Sequence, residues 1–339
     1  MSYSSDQPIS SKPYELVPFP KQSPKLEHPA GHDRYKADHL HGSLELSLTV
    51  GTTLHVSTGV IATGKDIDKS GIPLVKTMMV EQKKLVIPGS SLKGVVRSAY
   101  EAITNSTLGA DTKESKKLVD EERYQCKKKD KDFKRPWLCP ASQVFGAMDW
   151  QGLLQFSDAT GTSSNFKVDF MPSLYQPRPK CSEYVNEKGR AAGRKFYYHA
   201  VEAINRAKYG VDAQQAGRHY QFTTALNFPN LTPAQLGTVL IVLGQDSDYP
   251  MALKVGGGKP IGMGTMTVTV ASLNLMGSNF DRYRSYAAEP EQYSGEQLIT
   301  QIQPWLAAAH RELIESAQLA DLAEVLKYPT DREAPAGMY

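Results

Sequence analysis

Two stretches combine glycine with lysine in a way that suits phosphate. The first runs from Ile87 to Arg97 (IPGSSLKGVVR). Pro88 and Gly89 mark a turn, and Ser90 or Ser91 can cap a helix by accepting its orphan N–H groups. A Gly-Ser-Ser start offers free backbone donors and the positive end of a helix dipole, and Lys93 and Arg97 lie four apart on one face. The second stretch is Gly256-Gly257-Gly258-Lys259-Pro260-Ile261-Gly262-Met263-Gly264. Neither is a Walker loop, because Lys93 precedes Gly94 and Lys259 precedes Pro260, where Ser or Thr would hold the magnesium. Neither is a dinucleotide fingerprint, since the second run leads into the strand pattern Met266-Thr267-Val268-Thr269-Val270. Further cations, Arg194 and Lys195, lie beside Tyr197 and Tyr198; Tyr220 is a third flat side chain. Cys126, Cys139 and Cys181 with His199 make a candidate Cys3His zinc set without a tight C-x2-C pair; partly buried free thiols are the competing reading.

Periodicity supplies the scaffold for these groups. Leu44, Leu46, Leu48 and Val50 alternate with polar residues, which predicts a half-buried first strand. A polar loop with Asp66 and Asp68 leads to the first motif, where Leu92, Val95, Val96, Ala99, Tyr100 and Ile103 have helical spacing. Strands are predicted over Gly152–Ser157, Gln221–Phe228 and Met266–Leu275, and a helix from Thr232 to Leu243 with Thr232 as its cap. The order is βαββαβ, the split βαβ of ferredoxin-like, RNA-recognition-type folds, hence an α+β class.

This core is expected over residues 43–276, with insertions at about 105–137 and 160–220. Residues 1–42, rich in Pro, Ser, Lys and His, read as an extended arm that orders only against a partner, or as a disordered tail. Residues 277–339 read as a helical extension packing on the core or on a neighbouring subunit.

The two glycine motifs are joined by Cys139–Gly146 followed by Gly152–Ala159, and by Asn230–Gly237. In that order the four resemble the RAMP superfamily of CRISPR-associated proteins. The nearer branch is the crRNA-binding backbone of type III effector complexes, in a type III-D-like variant. The resemblance implies a ribonucleoprotein subunit of antiviral defence. It would hold crRNA and the guide–target RNA duplex beside other type III subunits. Ser90, Ser91, Lys93, Arg97, Arg194, Lys195, Gly257, Gly258 and Lys259 would then contact RNA, with tyrosines stacking on bases.

It further implies endoribonuclease cleavage of target RNA at one site, aided by a divalent cation such as Mg²⁺. An aspartate of the loop before the IPGSS turn would assist. The family's position falls near Gly71 and Ile72, which leaves Asp68 as the nearer candidate and Asp66 as the second. Relatives often carry structural zinc in the cysteine-bearing region. A non-catalytic scaffold subunit and a stand-alone nuclease processing precursor crRNA are the alternatives.

Composition narrows the classes. Hydrophobic content of 40% supports a packed core across 339 residues, which suits one large domain or two ordinary ones. A net charge of +3 is too small to argue for nucleic acid by itself, so clustering has to carry that argument. The run Lys127-Lys128-Lys129-Asp130-Lys131 reads as solvated surface or as a phosphate contact. No apolar run approaches a membrane span, and no apolar signal segment opens the chain. Three cysteines fit a reducing cytoplasm better than a disulfide framework.

Overall fold

The computed structural model describes residues 12–108, 117–119, 123, 128–129, 136–174, 184–205, 207–277, 284 and 289–335. In chain order the strands that matter here are β1 (Tyr14–Pro18), β2 (Leu40–Val50), β3 (Ile61–Thr63), β4 (Leu74–Lys76), β5 (Met79–Glu81) and β6 (Lys84–Ile87). After helix α1 (Gly89–Ile103) and the short α2 (Pro140–Phe145) come β7 (Gln155–Phe156), β8 (Ala159–Gly161), β9 (Lys167–Pro172), β10 (Gly193–Tyr197), β11 (Gly210–Gln215) and β12 (Gln221–Leu231). Helix α3 (Pro233–Val242), β13 (Leu253–Lys254), β14 (Thr265–Leu275) and β15 (Glu291–Tyr293) come next, and α4 (Gly295–Glu312) and α5 (Ser316–Val325) close the fold.

The alternation in β2 buries Leu44, Leu46, Leu48 and Val50, and that in β12 buries Phe222, Thr224, Leu226 and Phe228. These two strands and β14 form the centre of the main sheet, whose order is β13-β14-β2-β12-β8-β6-β5. Strands β14, β2, β12 and β8 are the fourth, first, third and second strands of the core, all paired antiparallel. That is the ferredoxin-like arrangement, with α1 and α3 as its two crossovers.

Helix α1 buries Leu92, Val96, Ala99, Tyr100 and Ile103, a stripe at three- and four-residue spacing. Helix α3 is buried nearly all round, because α4 covers the side turned away from the sheet. Its start is a capping box: the Thr232 hydroxyl accepts from Gln235 N, and the Gln235 side chain accepts from Thr232 N. The C-terminal extension packs on this chain's own core, α4 against α3 and α5 against α1 and β1.

Three expectations are corrected. The second core strand is not one run over Gly152–Ser157. It is split into β7 and β8, both paired with β12. Over its described residues, 12–42, the arm is not left waiting for a partner: β1 pairs with β10 over five positions and buries Tyr14 and Val17, and Glu27 bridges Leu138. Neither Ser90 nor Ser91 caps α1. Its first turn is instead closed by Asp158, whose Oδ1 accepts from Gly89 N at 2.7 Å.

The insertion between core strands contributes to a second sheet, of order β9-β11-β4-β3. In it β9 and β11 run antiparallel from Lys167↔Gln215 to Pro172↔Gly210, and β4 joins β11 in parallel. A small separate core of Met171, Ala213 and Met263, with Ala203 and Ile261 against it, joins this sheet to the second glycine motif.

Helices α3 and α4 cross very closely at Gly237, where an added Cβ would stand 1.9 Å from the Trp305 carbonyl oxygen. Gly237→Ala should therefore force the helices apart and cost roughly 1–3 kcal/mol. A lowered thermal midpoint with an unchanged far-ultraviolet dichroism spectrum is the expected observation. An unaltered midpoint would mean that the crossing has room for a methyl group.

Candidate nucleic-acid interface

The second glycine motif links β13 to β14 and is fastened to the rest of the chain. Gly257 N donates to His55 O at 2.8 Å, Gly264 N to Thr53 O at 2.8 Å, and the Thr52 hydroxyl to Gly262 O at 2.9 Å. Ile204 N donates to Ile261 O at 2.9 Å. Gly256 has a φ of +78°, and a Cβ there would lie 2.3 Å from His55 O. Both the left-handed backbone and the close approach therefore require glycine. The Gly257 amide is consumed by His55, and Gly258 is buried against Met263. The turn is thus a rigid clasp before it is a row of free donors.

Its cations are unusual. Lys254, on β13, is 5% exposed, and its ammonium donates to the Gly262 carbonyl at 3.3 Å. Among the described residues no carboxylate pairs with Lys254 or Lys259. Burial pushes the Lys254 ammonium down to about 7, and the neighbouring Lys259 adds to the effect. Burial also lowers Lys259. A neutral His199 lies beside them, held down to about 3 by burial and secondarily by Lys254. Its Nε2–H donates to Ala252 O, and its Nδ1 accepts from the Thr265 hydroxyl, both at 3.0 Å.

The first motif is differently placed. Lys93 Nζ donates to Leu154 O at 2.9 Å, and burial, then Arg97, lowers its pKa. Arg97 pairs with Glu101 at 2.7 Å and donates to Gly146 O. Arg194 pairs with the other oxygen of Glu101 at 2.8 Å and donates to the carbonyls of Ser106 and Thr107. Lys195 donates to the Tyr184 hydroxyl and lies 4.0 Å, 4.8 Å and 5.0 Å from the ring centres of Tyr14, Tyr197 and Tyr184. These four cations tie α1, the Gly146 turn and the arm together, and Ser90 remains exposed at the start of α1. Ser91 N is bonded to Pro88 O. Sequence reasoning missed Glu101, Asp158 and Lys254. The first two are distant in sequence from some or all of the groups they hold. Lys254 stands in an apolar strand, where a lone lysine was the one signal to read.

The two loop aspartates differ. Asp66 Oδ2 accepts from the Thr63 amide and hydroxyl at 2.9 and 2.7 Å, and these bonds hold its carboxyl below the usual range. Asp68 stands exposed in the left-handed region at φ 57°, and no described residue bonds its carboxylate. The loop tip that carries it joins β3 to β4.

The zinc set does not assemble from the described residues. Both nitrogens of His199 are engaged, and Cys139 is buried beside the hydroxyls of Thr107 and Ser142. Cys126 and Cys181 lie outside the described residues, as do the side chains of the Lys127–Lys131 run. No three potential ligands converge among the described residues.

Lys254 gives a test of these electrostatics. The unfolded chain keeps its proton up to about 10.5, the folded chain only to about 7. Between those values the unfolded state binds more protons, so this group's destabilisation is full below pH 7 and fades as pH rises. Lys254→Met should raise the thermal midpoint at pH 6, with the advantage shrinking towards pH 10. An equal effect at both pH values would contradict the assignment.

A family model of the RAMP superfamily matches residues 47–267. Among solved structures, the chain is similar to a subunit of the type III-B Cmr-beta complex bound to cognate target RNA, at 16% identity and a TM-score of 0.36. That alignment covers 70% of this chain, which spans 61% of the length of the other. No curated protein matches. The family match begins inside β2 and ends inside β14, so it encloses α1, α3, both glycine motifs and the aspartate loop. This chain belongs to the RAMP superfamily.

Proposed function

We propose that this chain is an RNA-binding subunit of a type III CRISPR effector complex, holding crRNA and presenting Asp68 to the paired target RNA. The observation that carries the reading is the pair Lys254 and Lys259 on the glycine clasp. Lys254 is buried and Lys259 half-buried, and neither has a carboxylate among the described residues. A buried cation without a counter-charge is costly, and a bound phosphate removes that cost. The turn holds Lys259, the less buried of the two, as the cation a backbone phosphate would meet, with Lys254 behind it.

Cleavage is assigned to Asp68 and not to Asp66. A carboxylate that assists attack by a 2′-hydroxyl must be able to accept a proton or hold a cation. Asp66 is committed to the Thr63 cap, and Asp68 is bonded by no described residue. One carboxylate suits Mg²⁺, which is commonly held by one or two carboxylates and completed by phosphate oxygens and water.

Lys259→Ala should weaken single-stranded RNA binding evenly across sequences and lower the salt slope by about one charge. Lys93→Ala and Arg97→Ala should lower the melting temperature more than RNA affinity, given their bonds to Leu154, Gly146 and Glu101. An unchanged salt titration for Lys259→Ala would remove the clasp from the interface. In the assembled complex, Asp68→Ala should abolish one Mg²⁺-dependent cut in target RNA while leaving RNA binding intact. Full cleavage by Asp68→Ala would mark the chain as a non-cutting scaffold.

A further inference from the structure

The chain that follows α5 runs back to the glycine clasp. Ala252 N donates to Leu326 O at 3.0 Å and Met251 bridges Lys327, so the segment starts beside β13. The Tyr328 ring then meets the His199 ring edge to face, with centres 5.8 Å apart. Further on, Val201 N donates to Arg332 O at 2.9 Å, and the Tyr198 hydroxyl donates to Glu333 O at 3.3 Å. Ala334 reaches the clasp itself: a Cβ placed on Gly262 would lie 3.1 Å from the Ala334 methyl group and 2.8 Å from Glu202 O. Residues 198–204 are thus bonded to this segment on one side and, through Ile204 N and Ile261 O, to the clasp on the other. Gly262 N in turn donates to Lys259 O, so Lys259 stands in the turn held this way.

One side chain pins the segment. Arg332 pairs with Glu15 of β1 at 2.5 Å and with Glu324 of α5 at 3.1 Å, and its guanidinium lies 5.2 Å from the centre of the Tyr198 ring. The three partners come from the arm, from the last helix and from the stretch beside the clasp. The pin is weak by construction. The Glu15 and Glu324 side chains are 45% and 63% exposed, and pairs of this kind are individually small and screened by salt. Of residues 327–335 only Pro335 is buried, which puts the segment among the parts of a fold that open first.

We propose that residues 327–335 are a strap that sets the position of the glycine clasp, with Arg332 as its pin, and that the strap couples the arm to RNA held at the clasp. The proposal rests on the RNA-binding reading above. Arg332 acts through residues 198–204 and is a positioning residue. With the strap down, that stretch is pressed on Gly262 and Lys259 is fixed; with the strap up, both are released. A fixed clasp loses less freedom on meeting a phosphate, so RNA favours the strap-down state. Linkage makes the effect reciprocal: RNA steadies the strap as much as the strap steadies the clasp.

The test uses the full chain, a single-stranded RNA oligonucleotide and hydrogen exchange read by mass spectrometry. In the wild-type chain RNA should slow exchange in residues 327–335 as well as in residues 256–264. Arg332→Ala should speed exchange in residues 256–264 and weaken RNA binding roughly three- to ten-fold. Glu15→Gln should do the same to a smaller degree. The double variant should lose no more than Arg332→Ala alone, because Glu15 acts through Arg332. A chain ending at Tyr328 should lose at least as much, and Arg332→Ala decides the matter if that chain does not fold. Arg311→Ala, which removes the exposed pair with Glu312 on α4, should change neither exchange in residues 256–264 nor affinity.

Unchanged RNA affinity in Arg332→Ala would overturn the coupling and leave the RNA-binding reading standing. So would protection of residues 256–264 by RNA with none in residues 327–335. Unchanged exchange in residues 256–264 would overturn the strap itself. No RNA binding by the wild-type chain would overturn the RNA-binding reading and the coupling with it, and exchange in Arg332→Ala would still decide whether the strap braces the clasp.

Discussion

The fold hangs on the register of β2 between β12 and β14. The strand is paired on both sides along nearly its whole length, from Leu44↔Leu226 and Leu44↔Leu273 towards Thr49↔Gln221 and Thr49↔Thr267. A slip of one residue on either side would turn Leu44, Leu46 and Leu48 out of the core. The same register places the segment beyond the strand. Residues 51–55 emerge between the end of β11 and the start of β14, and there they receive the glycine clasp. The clasp and its two lysines inherit their positions from that ladder.

Four of the candidate cations separate into two electrostatic classes. Arg97 and Arg194 share Glu101 and hand their remaining donors to backbone carbonyls. Such charges are satisfied within the fold, and their removal strips packing and pairing together. Lys254 and Lys259 meet no carboxylate among the described residues, and the fold carries the cost of holding them. A fold that keeps such groups is more open to an external anion there than at a satisfied pair. The same distinction separates Asp66, bonded on its own turn, from Asp68, which no described residue bonds.

The electrostatic division selects two places inside the span of the family match. The match tracks the chain from β2 to β14. The division, read only from contacts, selects the turn immediately before β14 and the loop between β3 and β4. The second sheet stands between these two regions, since β11 and β4 pair in it. The sheet that separates them is built from segments far apart in sequence but held by backbone ladders.

Local pattern was enough for three of the four core strands and both crossover helices. Alternation in β2, β12 and β14, the Thr232–Gln235 capping box and the stripe of α1 each state their element within a dozen residues, because burial on one face leaves a period in the sequence. The series of motifs likewise indicated the superfamily. The roles of individual polar residues were a different matter. Lys93, Arg97 and Arg194 look alike in sequence to Lys259, since a free cation and a paired one have the same side chain. It took the folded chain to bring Glu101 to two of them and the Leu154 carbonyl to the third, and to leave Lys254 without a carboxylate among the described residues. The β9–β11 pair was hidden for a related reason: its strands show no long apolar alternation, and their partners lie about forty residues away or farther. Pattern records what a segment buries, whereas pairing depends on what the rest of the chain brings to it.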